Sequence, residues 1–78
     1  MKIVLYANSQ CKKCESARQF LSLRGIGYIL KKIDENYNHR AELLQIYPGA
    51  RSTPIFIVDD TKIFTSLSKL KEFLKIDR

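Results

Sequence analysis

The 78-residue sequence has only two cysteines, one histidine, two prolines and three glycines, and it has no long apolar run. The two cysteines, Cys11 and Cys14, lie in adjacent turns, and a bridge between them closes too small a loop to staple a fold. A disulfide-built scaffold is therefore excluded, and the pair reads as reactive in a reducing compartment. A structural zinc site needs four ligands, and beyond this pair only His39 offers another strong one, so no metal is expected and His39 is read as a surface residue. The strongly apolar stretch Ile3 to Tyr6 gives way to Asn8, Ser9 and Gln10, well short of the ~7–15 apolar residues of a secretory signal and of the ~20 of a membrane span. The expectation is a cytoplasmic protein with no membrane partner.

Acidic residues are scarce too, eight against fourteen Lys and Arg, for a formal charge of +6. A basic field attracts nucleic acid, anionic membranes or acidic small molecules, and it also simply keeps a protein in solution. A nucleic-acid module would interleave aromatic and basic side chains on one exposed face. Here Tyr6, Phe20, Phe56 and Phe73 fall on expected core faces, so nucleic acid is not the expected partner. A hydrophobic content of 45% supports a packed core, and chains divide only beyond ~250 residues, so residues 1–78 are expected to form one domain. Repeats, linkers and low-complexity segments are lacking.

What is present is an alternation of strand and helix signals. Lys2 to Tyr6 is apolar without alternation, as in a strand covered on both faces. Cys14, Ala17 and Leu21, at spacings of three and four with Phe20 beside them, predict a helix over Lys12 to Arg24, with Arg24 in its last turn and Gly25 ending it. A second strand is read over Ile26 to Ile33. Asn38 is the candidate N-cap of a helix over His39 to Tyr47, with Ala41, Leu43 and Leu44 inward and Pro48-Gly49 as its stop. Pro54 marks the start of the strand Ile55 to Val58, since proline is tolerated there and not inside a sheet. Asp59-Asp60 turns into a short strand at Lys62 to Phe64. Leu67, Leu70, Phe73 and Leu74 mark a last helix from Ser66 or Ser68 to about Lys75, with Ser68 a candidate N-cap. The order β-α-β-α-β-β-α predicts an α/β fold: a four-stranded mixed sheet with three helices distributed over both faces.

The chemistry is concentrated at residues 8–14, Asn-Ser-Gln-Cys-Lys-Lys-Cys. A thiolate, not a thiol, attacks a disulfide. Cys11 is placed to cap the helix, where unpaired N–H groups and the positive end of the helix dipole face its sulfur. Lys12 and Lys13 add two cations in the first turn. Cys11 is thus the expected nucleophile, its pKa lowered toward the ~3.5–7.5 seen in such settings. Cys14, one turn on and more buried, is the expected resolving thiol.

The residues Leu5-Tyr6, Cys11-Lys12-Lys13-Cys14, Ala17, Phe20-Leu21, Gly25-Ile26, Tyr28 and Arg51-Ser52-Thr53-Pro54-Ile55-Phe56-Ile57 resemble the glutaredoxins of the thioredoxin-fold superfamily, over nearly the whole chain. The resemblance implies a thioredoxin-like fold and a small dithiol oxidoreductase. In such an enzyme Cys11 attacks a substrate disulfide, Cys14 or glutathione releases the product, and glutathione restores the dithiol. It implies a cis peptide bond at Pro54 facing the cysteines, and a backbone at Thr53 free to hydrogen-bond the cysteinyl part of glutathione. It further assigns Arg51 and the start of the last helix, Ser66 to Ser68, to the carboxylates of glutathione, and helix N-termini favour such anions. The electron acceptor implied is a protein disulfide, with ribonucleotide reductase as one candidate, and a monomer is expected. A third reading, a dimer bridging an iron-sulfur cluster with glutathione, is more often associated with single-cysteine relatives.

The chain also departs from the family pattern. Lys12 and Lys13 stand where Pro-Tyr is frequent, Asn8 where a basic residue is common, Thr65-Ser66 where Gly-Gly is usual, and Ser68 in place of an acidic residue. Lys12 or Lys13 is expected to substitute for the missing basic group. The altered Gly-Gly also favours an alternative, a glutaredoxin-like redoxin reduced by thioredoxin reductase.

Overall fold

The computed structural model describes residues 1–75. Its elements run β1 (Ile3–Ala7), α1 (Lys12–Leu23), β2 (Ile29–Lys32), α2 (Tyr37–Ile46), β3 (Ile55–Val58), β4 (Lys62–Phe64) and α3 (Leu67–Leu74). One four-stranded sheet has the order β2-β1-β3-β4. β2 runs parallel to β1, while β3 is antiparallel to both β1 and β4. This is a thioredoxin-like fold, with the element order and mixed sheet that the sequence predicts.

The two interior strands are buried along their whole length, in keeping with their unbroken apolar sequences. Alternation along each strand divides the core into two layers. Ile3, Leu5, Ala7, Phe56 and Val58 pack with Cys14, Ala17 and Leu21 of α1 and Leu70 of α3. On the other face Val4, Tyr6, Ile55 and Ile57 pack against Leu43 of α2. Fully burying a side chain such as Leu21 or Leu70 contributes about 1.5–3 kcal/mol. The layer under α1 therefore fixes the helix whose N-terminus carries Cys11.

Helix α1 ends one residue earlier than expected. Arg24 is its C-cap rather than part of the last turn. Gly25 follows with φ of 67°, and its N–H donates to the Ser22 carbonyl while that of Ile26 donates to the Leu21 carbonyl. This closure needs a left-handed residue, which glycine adopts without a Cβ penalty. It also consumes residues 24–28 in the connection, so β2 begins at Ile29 and not at Ile26.

Two N-caps lie two residues before the expected positions. Asn36, not Asn38, caps α2, its side chain accepting the N–H of Asn38 at 2.9 Å. Ser66, not Ser68, caps α3, accepting the N–H of Lys69 at 3.2 Å. Leu44 and Phe73, expected inward, are 37% and 39% exposed. Phe73 instead lays its ring 5.0 Å from that of Phe64, beneath the ammonium of Lys62. His39 is half-buried on α2, with Nδ1 unpartnered among the described residues.

Candidate active site

The loop between β1 and α1 is held before it reaches the cysteines. The N–H of Ser9 donates to both carboxylate oxygens of Asp34 at 3.1 Å, and its hydroxyl donates to Glu35. The Ser9 backbone N–H is the main reason the Asp34 carboxyl sits below its ordinary range. Cys11 then adopts the extended backbone of an N-cap, and its sulfur accepts the N–H of Cys14 at 3.1 Å. Cys11 and Cys14 are joined as a disulfide, with 5.2 Å between their Cα atoms. Cys11 is half-buried at the surface, whereas Cys14 is 2% exposed and belongs to the α1 core layer.

The Thr53-Pro54 peptide is cis and brings the loop before β3 against the cysteines. The Thr53 hydroxyl donates to Cys11 Sγ at 3.5 Å, and the Thr53 carbonyl oxygen lies 3.9 Å from the same sulfur. Asn8, at the end of β1, donates from Nδ2 to the Thr53 hydroxyl at 3.2 Å. A thiolate at Cys11 therefore meets a backbone N–H and a hydroxyl at the positive end of α1, each favouring the charged form.

Two cavities flank Thr53. A groove of about 390 Å³ lies between the first turns of α1, the cis-proline loop and the start of α3. It gathers Lys13, Thr53, Pro54, Ser66 and Ser68, five of the residues singled out in the sequence. A smaller cleft of about 110 Å³ holds Arg51 together with Asn8, Arg40 and Thr53. Lys12 is exposed and lines neither cavity. Sequence reasoning missed Arg40, whose place beside Arg51 depends on how α2 docks. It noted Asn8 only as a departure from a pattern. Among the described residues no group of three or more His, Cys, Asp or Glu is arranged to hold a metal, and no helix is long and apolar enough to cross a membrane.

The thioredoxin-like protein BC3987, as a point variant, superposes with a TM-score of 0.81 at 26% identity, covering 92% of this chain and 97% of that one. The glutaredoxin-like protein NrdH-redoxin from Escherichia coli, which has a thioredoxin-like activity profile, gives 0.70 at 24%, covering 85% and 83%. The buckwheat glutaredoxin-glutathione complex gives 0.73 at 20%, covering 94% of this chain and 67% of that one. No curated protein matches by sequence. The glutaredoxin family model matches residues 3–63, a span that contains both cysteines and the cis-proline loop. The chain belongs to the glutaredoxin family of thiol-disulfide oxidoreductases.

Proposed function

We propose that this chain is a dithiol reductant of protein disulfides and glutathione mixed disulfides, with Cys11 as nucleophile and Cys14 as resolving thiol. The Cys11 thiolate attacks one sulfur of the substrate disulfide, forming a mixed disulfide and expelling the other sulfur as a thiolate. Cys14, deprotonated, attacks Cys11 Sγ, forms the intramolecular disulfide and releases the second substrate thiolate. Two electrons pass to the substrate, and two glutathione molecules restore the dithiol as they become glutathione disulfide. The observation that carries this reading is the placement of Cys11 Sγ at a helix N-cap, within reach of the Cys14 N–H and the Thr53 hydroxyl.

The groove beside Thr53 supports a glutathione moiety as ligand. Glutathione is an extended, net-anionic peptide. Lys13 supplies a cation at one wall, and the N-terminus of α3 at Ser66 to Ser68 forms the other, where the positive end of a helix favours an anion. Arg51, across Thr53, extends the cationic surface for the second carboxylate. Lys12 contributes only to the general field. The chain is proposed to act as a cytoplasmic monomer, with the disulfide of ribonucleotide reductase among its acceptors.

A second reading has a specific observation in its favour. Ser66 spends its hydroxyl on capping Lys69, and Thr65-Ser66 occupies the position where glycines would let a ligand approach the backbone closely. This favours reduction by thioredoxin reductase. A coupled assay with a mixed-disulfide substrate separates the readings: turnover with glutathione, glutathione reductase and NADPH is expected. Turnover only with thioredoxin reductase and NADPH overturns the glutathione assignment and establishes the second. Replacing the substrate with oxidised ribonucleotide reductase tests the acceptor.

A further inference from the structure

We propose that Asn8 is a positioning residue for the nucleophile: its amide fixes the Thr53 hydroxyl so that the hydroxyl proton is directed at Cys11 Sγ. This rests on the reading of Cys11 as the attacking thiolate.

The geometry is a chain of two hydrogen bonds, Asn8 Nδ2 to Thr53 Oγ1 at 3.2 Å and Thr53 Oγ1 to Cys11 Sγ at 3.5 Å. A threonine hydroxyl has one proton and two lone pairs, and its proton rotates to suit its surroundings. With an amide N–H occupying a lone pair, the proton turns away from Asn8. The sulfur is the acceptor the structure places on that side. Hydrogen bonds in a chain polarise one another, so the amide also strengthens the bond that reaches the sulfur. Asn8, Thr53 and Cys11 are all half-buried, which limits the competition from water.

The position in the chain gives the arrangement its meaning. Asn8 follows the last residue of β1, a strand buried from Ile3 to Ala7, and the preceding residue, Ala7, is locked in the core layer that also holds Cys14. Thr53 is held by the adjoining β3, which pairs with β1. Both ends of the first hydrogen bond are therefore carried by the two rigid central strands, and the hydroxyl is aimed by the sheet. A cation at position 8 would act on the sulfur through space, and Asn8 acts through a hydrogen-bond relay instead. Lys12, Lys13 and Glu15 follow Cys11 at the start of α1, Arg40 of α2 and Arg51 line the cleft that Asn8 and Thr53 border, and none of these charges is altered in the test below.

The experiment is a double-mutant cycle read by the pH dependence of iodoacetamide alkylation of reduced Cys11, in a Cys14→Ser background so that one thiol reports. Thr53→Val keeps the shape and removes the hydroxyl, and it is expected to raise the titration midpoint by about one pH unit. Asn8→Ala is expected to raise it by a smaller amount. In the Thr53→Val background Asn8→Ala is expected to add nothing, since the relay is already broken. An unchanged midpoint in Asn8→Ala, or an equal rise with and without the Thr53 hydroxyl, overturns the proposal. Should Asn8→Ala not fold, Asn8→Asp keeps the shape and turns the relay around, because its carboxylate accepts the hydroxyl proton. Its upward shift must then be larger with Thr53 present than in the Thr53→Val background, and equal shifts overturn the proposal. Alkylation requires neither substrate nor reductant, so a wild-type protein that reduces no disulfide defeats the functional reading while leaving this cycle interpretable.

Discussion

The phenol of Tyr6, on the central strand, donates its proton to the carboxylate of Glu42 on α2, and Lys31 of β2 closes on the same oxygen. This three-residue link joins the sheet to the helix on the face away from the cysteines. Burial, reinforced by the neighbouring carboxylate, pushes the Tyr6 hydroxyl well above its ordinary range. Hydrogen bonds from Lys31 and Tyr6 hold Glu42 below the usual carboxylate range.

The two partners are not equivalent under mutation. Glu42→Ala leaves a phenol in a residue only 2% exposed without its acceptor, an expected loss of about 1–3 kcal/mol. Tyr6→Phe removes donor and need together and leaves Glu42 paired with Lys31, so its expected cost is under about 1.5 kcal/mol. Urea unfolding of the two variants checks the order, and equal costs would count against the link.

The same pair predicts the pH dependence of stability. Glu42 has a lowered pKa in the folded state, so its contribution is present above the carboxylate range of the unfolded chain. That contribution is lost as pH falls through the folded value. Tyr6 has a raised pKa, so its contribution is complete below about pH 10 and is lost as pH rises further, toward its folded value. Thermal melts across pH should show both flanks. Tyr6→Phe should remove the alkaline one.

Capping offers a local test. Ser66→Ala is expected to cost about 1 kcal/mol, and Ser68→Ala within about 0.5 kcal/mol. A reversed order in thermal unfolding would reinstate Ser68 as the cap.

The cysteines should separate by trapping. Cys14→Ser is expected to accumulate a mixed disulfide on Cys11 that mass spectrometry detects as an adduct of the substrate thiol. Cys11→Ser is expected to form none. An adduct on Cys14 in the latter variant would reverse the assigned roles.

Lys13 and Lys12 should also differ. Lys13 lines the groove beside Thr53 and Lys12 does not, so Lys13→Ala is expected to raise KM for a glutathione mixed disulfide about fivefold, the equivalent of ~1 kcal/mol. Lys12→Ala should change it less than twofold. Equal effects in steady-state kinetics would mean that only the general field matters.

Much of this was readable in the residues. The runs at Ile3 to Tyr6 and Ile55 to Val58 announced interior strands because burial on both faces removes polar alternation. The spacing of Cys14, Ala17 and Leu21 announced α1 because those three side chains enter one core layer. Strand β2 was harder, since it lies at the sheet edge, is only partly covered, and carries two lysines that alternation cannot place. The caps were ambiguous for a plainer reason: Asn36 and Asn38, and Ser66 and Ser68, are pairs of competent residues two positions apart, and tertiary docking decides between them. The contact between Asn8 and Thr53 spans 45 positions and two polar residues, and no local pattern encodes it.

The burial of Cys14 in the α1 core layer has a consequence for chemical selectivity. Oxidants and alkylating agents diffusing from solvent meet only one of the two sulfurs, because susceptibility follows exposure and thiolate character. Peroxide damage should therefore concentrate on Cys11. On the proposed roles, Cys14 reacts only after Cys11 has reacted, and a sulfenic acid left on Cys11 by peroxide is closed by Cys14 to the same intramolecular disulfide that the catalytic cycle reduces, so the buried thiol doubles as protection against deeper oxidation.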